Sequence, residues 1–176
     1  PATQGPQRSS AEEVAINRAR AALFPLKKML KKELSAAMKK GGPLAALNVC
    51  GERAMAITQE VSAKDPGVEL GRTSDKLRNP KNKAAAWLEP MLAHYQGSSK
   101  RLGSYRLTTL PSGKIGYAEP IYTKGVCLKC HGKTLQTPLT EALDKRYPDD
   151  KARGYEAGQF RGLFWVKLKP VSGRRK

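Results

Sequence analysis

Residues 101–122 read RLGSYRLTTLPSGKIGYAEPIY, and the period of the chain changes there. From Arg101 to Leu110 and from Lys114 to Tyr122 the pattern is strand-like, and Pro111-Ser112-Gly113 between them is a short turn, so the stretch predicts a β-hairpin. Downstream, RGLFWVKLKPV (161–171) predicts a further strand, with Leu163, Trp165 and Leu168 among its apolar members. Upstream the period is different.

Ile16, Ala19, Leu23, Leu26, Leu30, Leu34 and Met38 recur at spacings of three and four across residues 11–40, which predicts a long amphipathic helix with a bend at Pro25. Gly41-Gly42-Pro43 stops it and starts a second helix reaching about Ala63, so the two form a hairpin. Residues 64–82 (KDPGVELGRTSDKLRNPKN) carry turn formers and little apolar periodicity, and read as a long loop. Ala84 to Tyr95 is helical again, with Pro90 as a kink or a fresh start. Helices followed by a small antiparallel sheet predict an α+β class. At 176 residues the chain suits one domain, drawn as a lead over 1–10, a domain over 11–171 and a basic tail over 172–176.

Composition limits what such a domain can be. Apolar residues are 39% and aromatics 6%, enough for a modest core that a large buried cofactor would complete. No stretch approaches the roughly 18 apolar residues of a membrane span. The small, polar start with two prolines reads as the trimmed end of a processed precursor. A net charge of +18 favours anionic partners. Its lysines and arginines are spread along the chain without the interleaved aromatics of a nucleic-acid reader, so nucleic acid is not the expected partner.

The chemistry lies in CLKCH. Cys127 and Cys130 stand three residues apart with His131 directly after, the attachment pattern of a c-type haem. One turn of chain brings both sulfurs to the vinyl groups on one haem edge, and the histidine then lies under the iron. A closed zinc site would need four ligands, and the rest of the chain offers only Cys50 and His94. A thioredoxin-like redox pair would need a βαβ unit. The expectation is one covalent haem c, attached outside the cytoplasm where the maturation machinery works, hence a periplasmic or otherwise extracytoplasmic home.

The iron's sixth ligand is open at this level. All four methionines precede the attachment site, so the arrangement of small cytochromes with a downstream methionine is ruled out. Cys50 falls on one helical stripe with Leu47, Ala54, Ile57 and Val61 and should point inward. By spacing alone the commoner reading is an inert buried thiol, with ligation of the iron as the alternative. His94, Met91, Met55, water or an open position compete with it.

Four segments carry a resemblance: GGPLAALNVC (41–50), GRTSDKLRNPKN (71–82), CLKCHG (127–132) and RYPDDKARGYEAGQFRGLFWV (146–166). In this order they resemble a family of c-type haem domains of unknown function with a PAS-like fold, known from a cyanobacterial protein found with photosystem II and from bacterial signalling proteins. The resemblance implies a PAS-like antiparallel sheet with a helical N-terminal extension. It also implies Cys50 as the axial ligand opposite His131. By the same resemblance Arg72, Lys76 and Arg78 become candidates for contacting the haem propionates, and Arg161 is a further one.

A thiolate ligand would stabilise ferric iron and lower the potential, while nearby cations would raise it, with a low value as the net expectation. The function classes that follow are a low-potential electron-transfer cytochrome or redox sensor with an anionic redox or signalling protein partner, and a gas sensor for nitric oxide or carbon monoxide. A haem enzyme such as a peroxidase ranks last, since His94 is the sole spare imidazole.

Overall fold

A computed structural model of the chain describes residues 9–96 and 105–170. Most of the expected lead, the 172–176 tail and the first residues of the predicted hairpin lie outside the described residues.

The chain starts with helix α1, Ser10–Asn48. Ser9 caps it: its hydroxyl accepts from the Glu12 amide while Glu12 reaches back to the Ser9 amide. Pro25 is accommodated inside the helix, and the interruption comes at Gly41-Gly42, where Gly42 has φ 64°. Pro43 restarts the helix, as the sequence predicts. A π-helical turn over Val49–Arg53 follows, then α2, Ala54–Ser62. The two arms form the expected hairpin, tied near its closed end by Arg53 to Glu33 at 3.1 Å.

The predicted loop over 64–82 is corrected in part, because Val68–Thr73 is a strand, β1. Glu69, Gly71 and Arg72 blur its alternation, yet Val68 and Leu70 are buried. Gly71 is required by packing: a Cβ there would lie 2.6 Å from the Trp165 ring. Pro90 marks a fresh start, opening α3, Glu89–Tyr95. The hairpin appears as β2, Arg106–Thr109, and β3, Ile115–Tyr122. The short helices α4, Gly125–His131, and α5, Thr137–Arg146, come next; α5 was not anticipated, having only Leu139 and Leu143 as buried anchors. The last strand, β4, spans Phe160–Leu168.

All four strands form one antiparallel sheet in the order β1-β4-β3-β2. The long helix and the four-stranded antiparallel sheet make the α+β architecture expected. Ile16, Ala19, Leu23 and Leu26 of α1, with Ile57 and Val61 of α2, pack on Val68, Leu70, Tyr117, Val166 and Leu168. Each such large aliphatic side chain contributes roughly 1.5–3 kcal/mol on burial. Leu88, Met91, Leu92 and Tyr95 cover the other face against Ala118 and Leu163. No helix among the described residues is long and apolar enough to cross a membrane.

Candidate functional site

Helix α4 consists almost entirely of the attachment motif. Its first turn closes with the Cys127 amide on the Lys124 carbonyl at 2.8 Å, and the i, i+3 spacing puts both thiols on one side. Three contacts hold its C-terminal end. The Tyr155 amide donates to the His131 carbonyl at 2.9 Å, Arg78 Nη2 donates to the Cys130 carbonyl at 2.7 Å, and His131 Nδ1 meets the Ala152 carbonyl at 2.7 Å.

That last contact fixes a tautomer. A carbonyl only accepts, so Nδ1 carries the proton and Nε2 presents its lone pair. Burial, then the Arg161 and Arg78 charges, push the imidazole pKa down to about 3, so the ring is neutral at ordinary pH. This is the state a metal-binding histidine requires, with its second nitrogen oriented by a carbonyl.

Arg78 is the anchor of the motif. Besides the Cys130 carbonyl, it reaches the Ala152 carbonyl at 3.3 Å and pairs with Asp150 at 3.0 Å, where the carboxylate side chain is 1% exposed. Arg153 holds the same carboxylate at 2.8 Å. Burial works to raise the Asp150 pKa, but the hydrogen bonds from Arg153, Arg78 and the Ala152 amide outweigh it and hold it below the usual range.

Cys50 stands on the π-helical turn, where a wider turn re-aims side chains relative to an α-helix. Its predicted stripe therefore splits. Leu47 packs with Leu139 and Leu143 of α5, Ile57 and Val61 enter the main core, and Cys50 between them faces a cavity. Burial holds its thiol pKa above the usual value, outweighing the downward pull of Arg72, Arg78 and Arg161.

The cavity measures about 460 Å³, within the roughly 300–1,000 Å³ of cofactor sites. Cys50, Cys127, Cys130, His131, Arg72 and Arg78 all line it. Leu30, Leu34, Met38, Leu77, Ile121 and Phe164 give it apolar walls. The residues expected to hold a haem thus fit one: thiols and imidazole on one helix, a third thiol from another element, and apolar walls for the ring faces. Among the described residues, no three His, Cys, Asp or Glu side chains cluster as ligands of a bare ion.

Other predicted residues lie elsewhere. Lys76 is not in the cavity wall; its ammonium sits 5.2 Å over the Tyr155 ring. Of the competitors for the sixth position, Met91 is buried under the sheet, His94 meets Arg106 at 3.2 Å, and neither they nor Met55 line the cavity. Met38 does, a residue that its position on the helical stripe marked only as core.

The Tll0287-like family model matches residues 7–168. The crystal structure of the cyanobacterial heme-protein Tll0287 superposes with a TM-score of 0.67 at 20% identity, over 94% of this chain and 99% of that one. No curated protein matches.

Proposed function

The chain belongs to the Tll0287-like family, and from that premise we propose that it is a monohaem c-type cytochrome with His131 and Cys50 as axial ligands, serving low-potential electron transfer or redox sensing without enzymatic turnover. One observation carries the reading: the attachment helix and Cys50, far apart in sequence, wall the same cavity. When bound, haem c supplies a one-electron ferric/ferrous couple.

The protein's own residues supply the rest. Cys127 and Cys130 hold the group through thioether bonds, and His131 offers Nε2 while the Ala152 carbonyl keeps its Nδ1 protonated. Cys50 as a thiolate donates charge that favours the oxidised form, against the opposing field of Arg72, Arg78 and Arg161. Leu30, Leu34 and Phe164 exclude water. Acid–base catalysis has little to work with, because among the described residues His131 is the one imidazole in the wall and no carboxylate joins it there. Thioether attachment implies an extracytoplasmic site of maturation.

A basic face suits an acidic redox partner. Phe24 (66% exposed), Lys28, Lys32 and Lys39 form an outer stripe on α1, whose inner side walls the cavity. Among the described residues these lysines make no ion pair, and Glu33 nearby is taken by Arg53. A partner seated there is one helix, about 10 Å across, from the cofactor site.

A second reading, a nitric oxide, carbon monoxide or redox sensor that signals to a partner, draws on the placement of Cys50 on a π-helical turn. Such a turn relaxes to α-helix by a one-residue shift, which would withdraw the thiol.

The test is absorption and paramagnetic-resonance spectroscopy of wild type, Cys50→Ala and Met38→Ala, produced with a haem-attachment system. Loss of a low-spin thiolate signature in Cys50→Ala alone supports the proposed ligand; loss in Met38→Ala alone overturns it. Ready binding of carbon monoxide by the ferrous wild type favours the sensor reading, and an unmoved spectrum counts against it.

A further inference from the structure

Arg161 reaches the cavity by a local irregularity of the sheet. In the β3–β4 register, Ile121 faces Gly162 and Tyr122 faces Phe160, so Arg161 is skipped. This is a β-bulge, which re-aims the extra residue's side chain. Gly162 makes it possible: its φ is 152°, and a Cβ there would lie 2.2 Å from the Thr73 carbonyl oxygen. The bulged residue is then locked. Arg161 Nη1 donates to Ser74 Oγ at 2.7 Å and to the Lys76 carbonyl at 3.2 Å, while the Ser74 hydroxyl donates to the Arg161 carbonyl at 2.7 Å. The guanidinium lies 5.4 Å over the Tyr155 ring and makes no ion pair with a carboxylate among the described residues, although the Asp75 charge acts on it from farther away.

Arg72 comes from the neighbouring strand, opposite Phe164, and lines the same cavity. It makes no hydrogen bond or ion pair among the described residues. A partly buried guanidinium without a partner is costly unless something anionic meets it. The cavity wall holds five basic side chains, Lys27, Lys31, Arg72, Arg78 and Arg161, and no carboxylate among the described residues. Lys27 is neutralised by Glu119 and Arg78 by Asp150. Lys31, which is exposed, and the two guanidinium groups of Arg72 and Arg161 are left without a carboxylate partner among the described residues.

We infer that Arg72 and Arg161 form a two-guanidinium clamp for the two carboxylates of the cofactor, and that Arg78 and Lys76 do not take part. This rests on the haem reading above. The vinyl and carboxylate substituents lie on opposite edges of the macrocycle, and Arg78, bonded to the Cys130 carbonyl, belongs to the thioether edge. Lys76 contributes its backbone carbonyl to the locking of Arg161; both side chains lie over the Tyr155 ring, but Arg161 lines the cavity and Lys76 does not. Arginine suits the role because its planar fork matches a carboxylate.

The experiment uses haem-loaded full-length Arg72→Gln, Arg161→Gln and Lys76→Gln proteins, with redox-difference infrared spectra and reduction potentials as readouts. The propionate carboxylate bands are expected to shift in both arginine variants, and the potential to fall as a positive charge is lost, with Lys76→Gln matching wild type. Wild-type carboxylate bands in haem-loaded Arg72→Gln and Arg161→Gln, or a shift in Lys76→Gln alone, would overturn the clamp. Where a glutamine variant yields no holoprotein, Arg72→Lys and Arg161→Lys carry the same test, since a lysine keeps the charge and loses the fork. A wild-type protein without haem would instead refute the functional reading, a result the visible spectrum separates from the others.

Discussion

The β1–β4 pair is built differently at its two ends. At one end Val68 and Leu70 face Leu168 and Val166 across the ladder, and helices α1 and α2 cover them with aliphatic side chains. At the other, Arg72 faces Phe164, Arg161 bulges inward, and the same α1 helix spans a cavity. One strand pair and one helix thus serve as packed core and as the wall of a cavity. The difference arises from side-chain chemistry and one bulge, with the ladder continuous between them.

The largest expected effect probes the anchor of the site end. Arg78→Ala leaves the Asp150 carboxylate buried with one partner fewer and should cost about 3–5 kcal/mol in urea unfolding. Arg153→Ala, which removes a more exposed partner of the same carboxylate, should cost about 1 kcal/mol. Equal losses would mean that Arg78 is not the specific anchor of the attachment helix.

Next come the two apolar environments. Leu26→Ala, in the packed end, should cost about 2–5 kcal/mol, because its neighbours cannot collapse into the gap. Leu34→Ala, on the same helix but facing the cavity, should cost under about 1.5 kcal/mol in the haem-free chain, having fewer contacts to lose. Chemical denaturation of both variants tests whether the ends differ as described.

Acid sharpens the contrast by weakening the site end. The Asp150 pKa is held below its unfolded value, so its contribution is fully present above the unfolded carboxylate pKa of about 3.9 and fades as pH falls through the folded value. Wild type should therefore lose more stability than Asp150→Asn as pH falls from about 5 towards the acid limit, read from urea unfolding at a series of pH values. Parallel pH profiles of the two would contradict this.

The smallest effect on folding is expected at the outer face. Lys28→Glu, Lys32→Glu and Lys39→Glu together should change stability by under about 1 kcal/mol. Stopped-flow reduction by an acidic flavodoxin should nonetheless slow about tenfold at low salt, with the difference vanishing at high salt. An equal change from three reversals elsewhere on the surface would reduce the effect to net charge.

Much of this organisation was legible beforehand. The helical hairpin showed in the spacing of Ile16 to Met38 and in the Gly41-Gly42-Pro43 break, and the β2–β3 hairpin in its turn. Strand β1 was hidden because two charged residues and a glycine blur its alternation; the glycine answers to Trp165, a partner far along the chain. At the site, Cys127, Cys130 and His131 were evident from local spacing. Arg72 and Arg78 emerged together from one motif, yet only the tertiary structure separates their surroundings, since Asp150 and the Cys130 carbonyl that occupy Arg78 are distant in sequence. The inward turn of Arg161 depends on a bulge set by strand pairing, which no periodicity reports. Met38 looked like core because a cavity wall and a core share the same helical spacing.

The claim on which the rest depends is covalent attachment at Cys127 and Cys130. Protein made in a host that attaches haem, extracted with acidified acetone and assayed as the pyridine haemochrome, tests it most directly. The account predicts that the pigment stays with the polypeptide with two saturated vinyl positions in wild type, and that a Cys127→Ala, Cys130→Ala protein releases or lacks it. Colourless wild type, or pigment passing into the acetone, would contradict it.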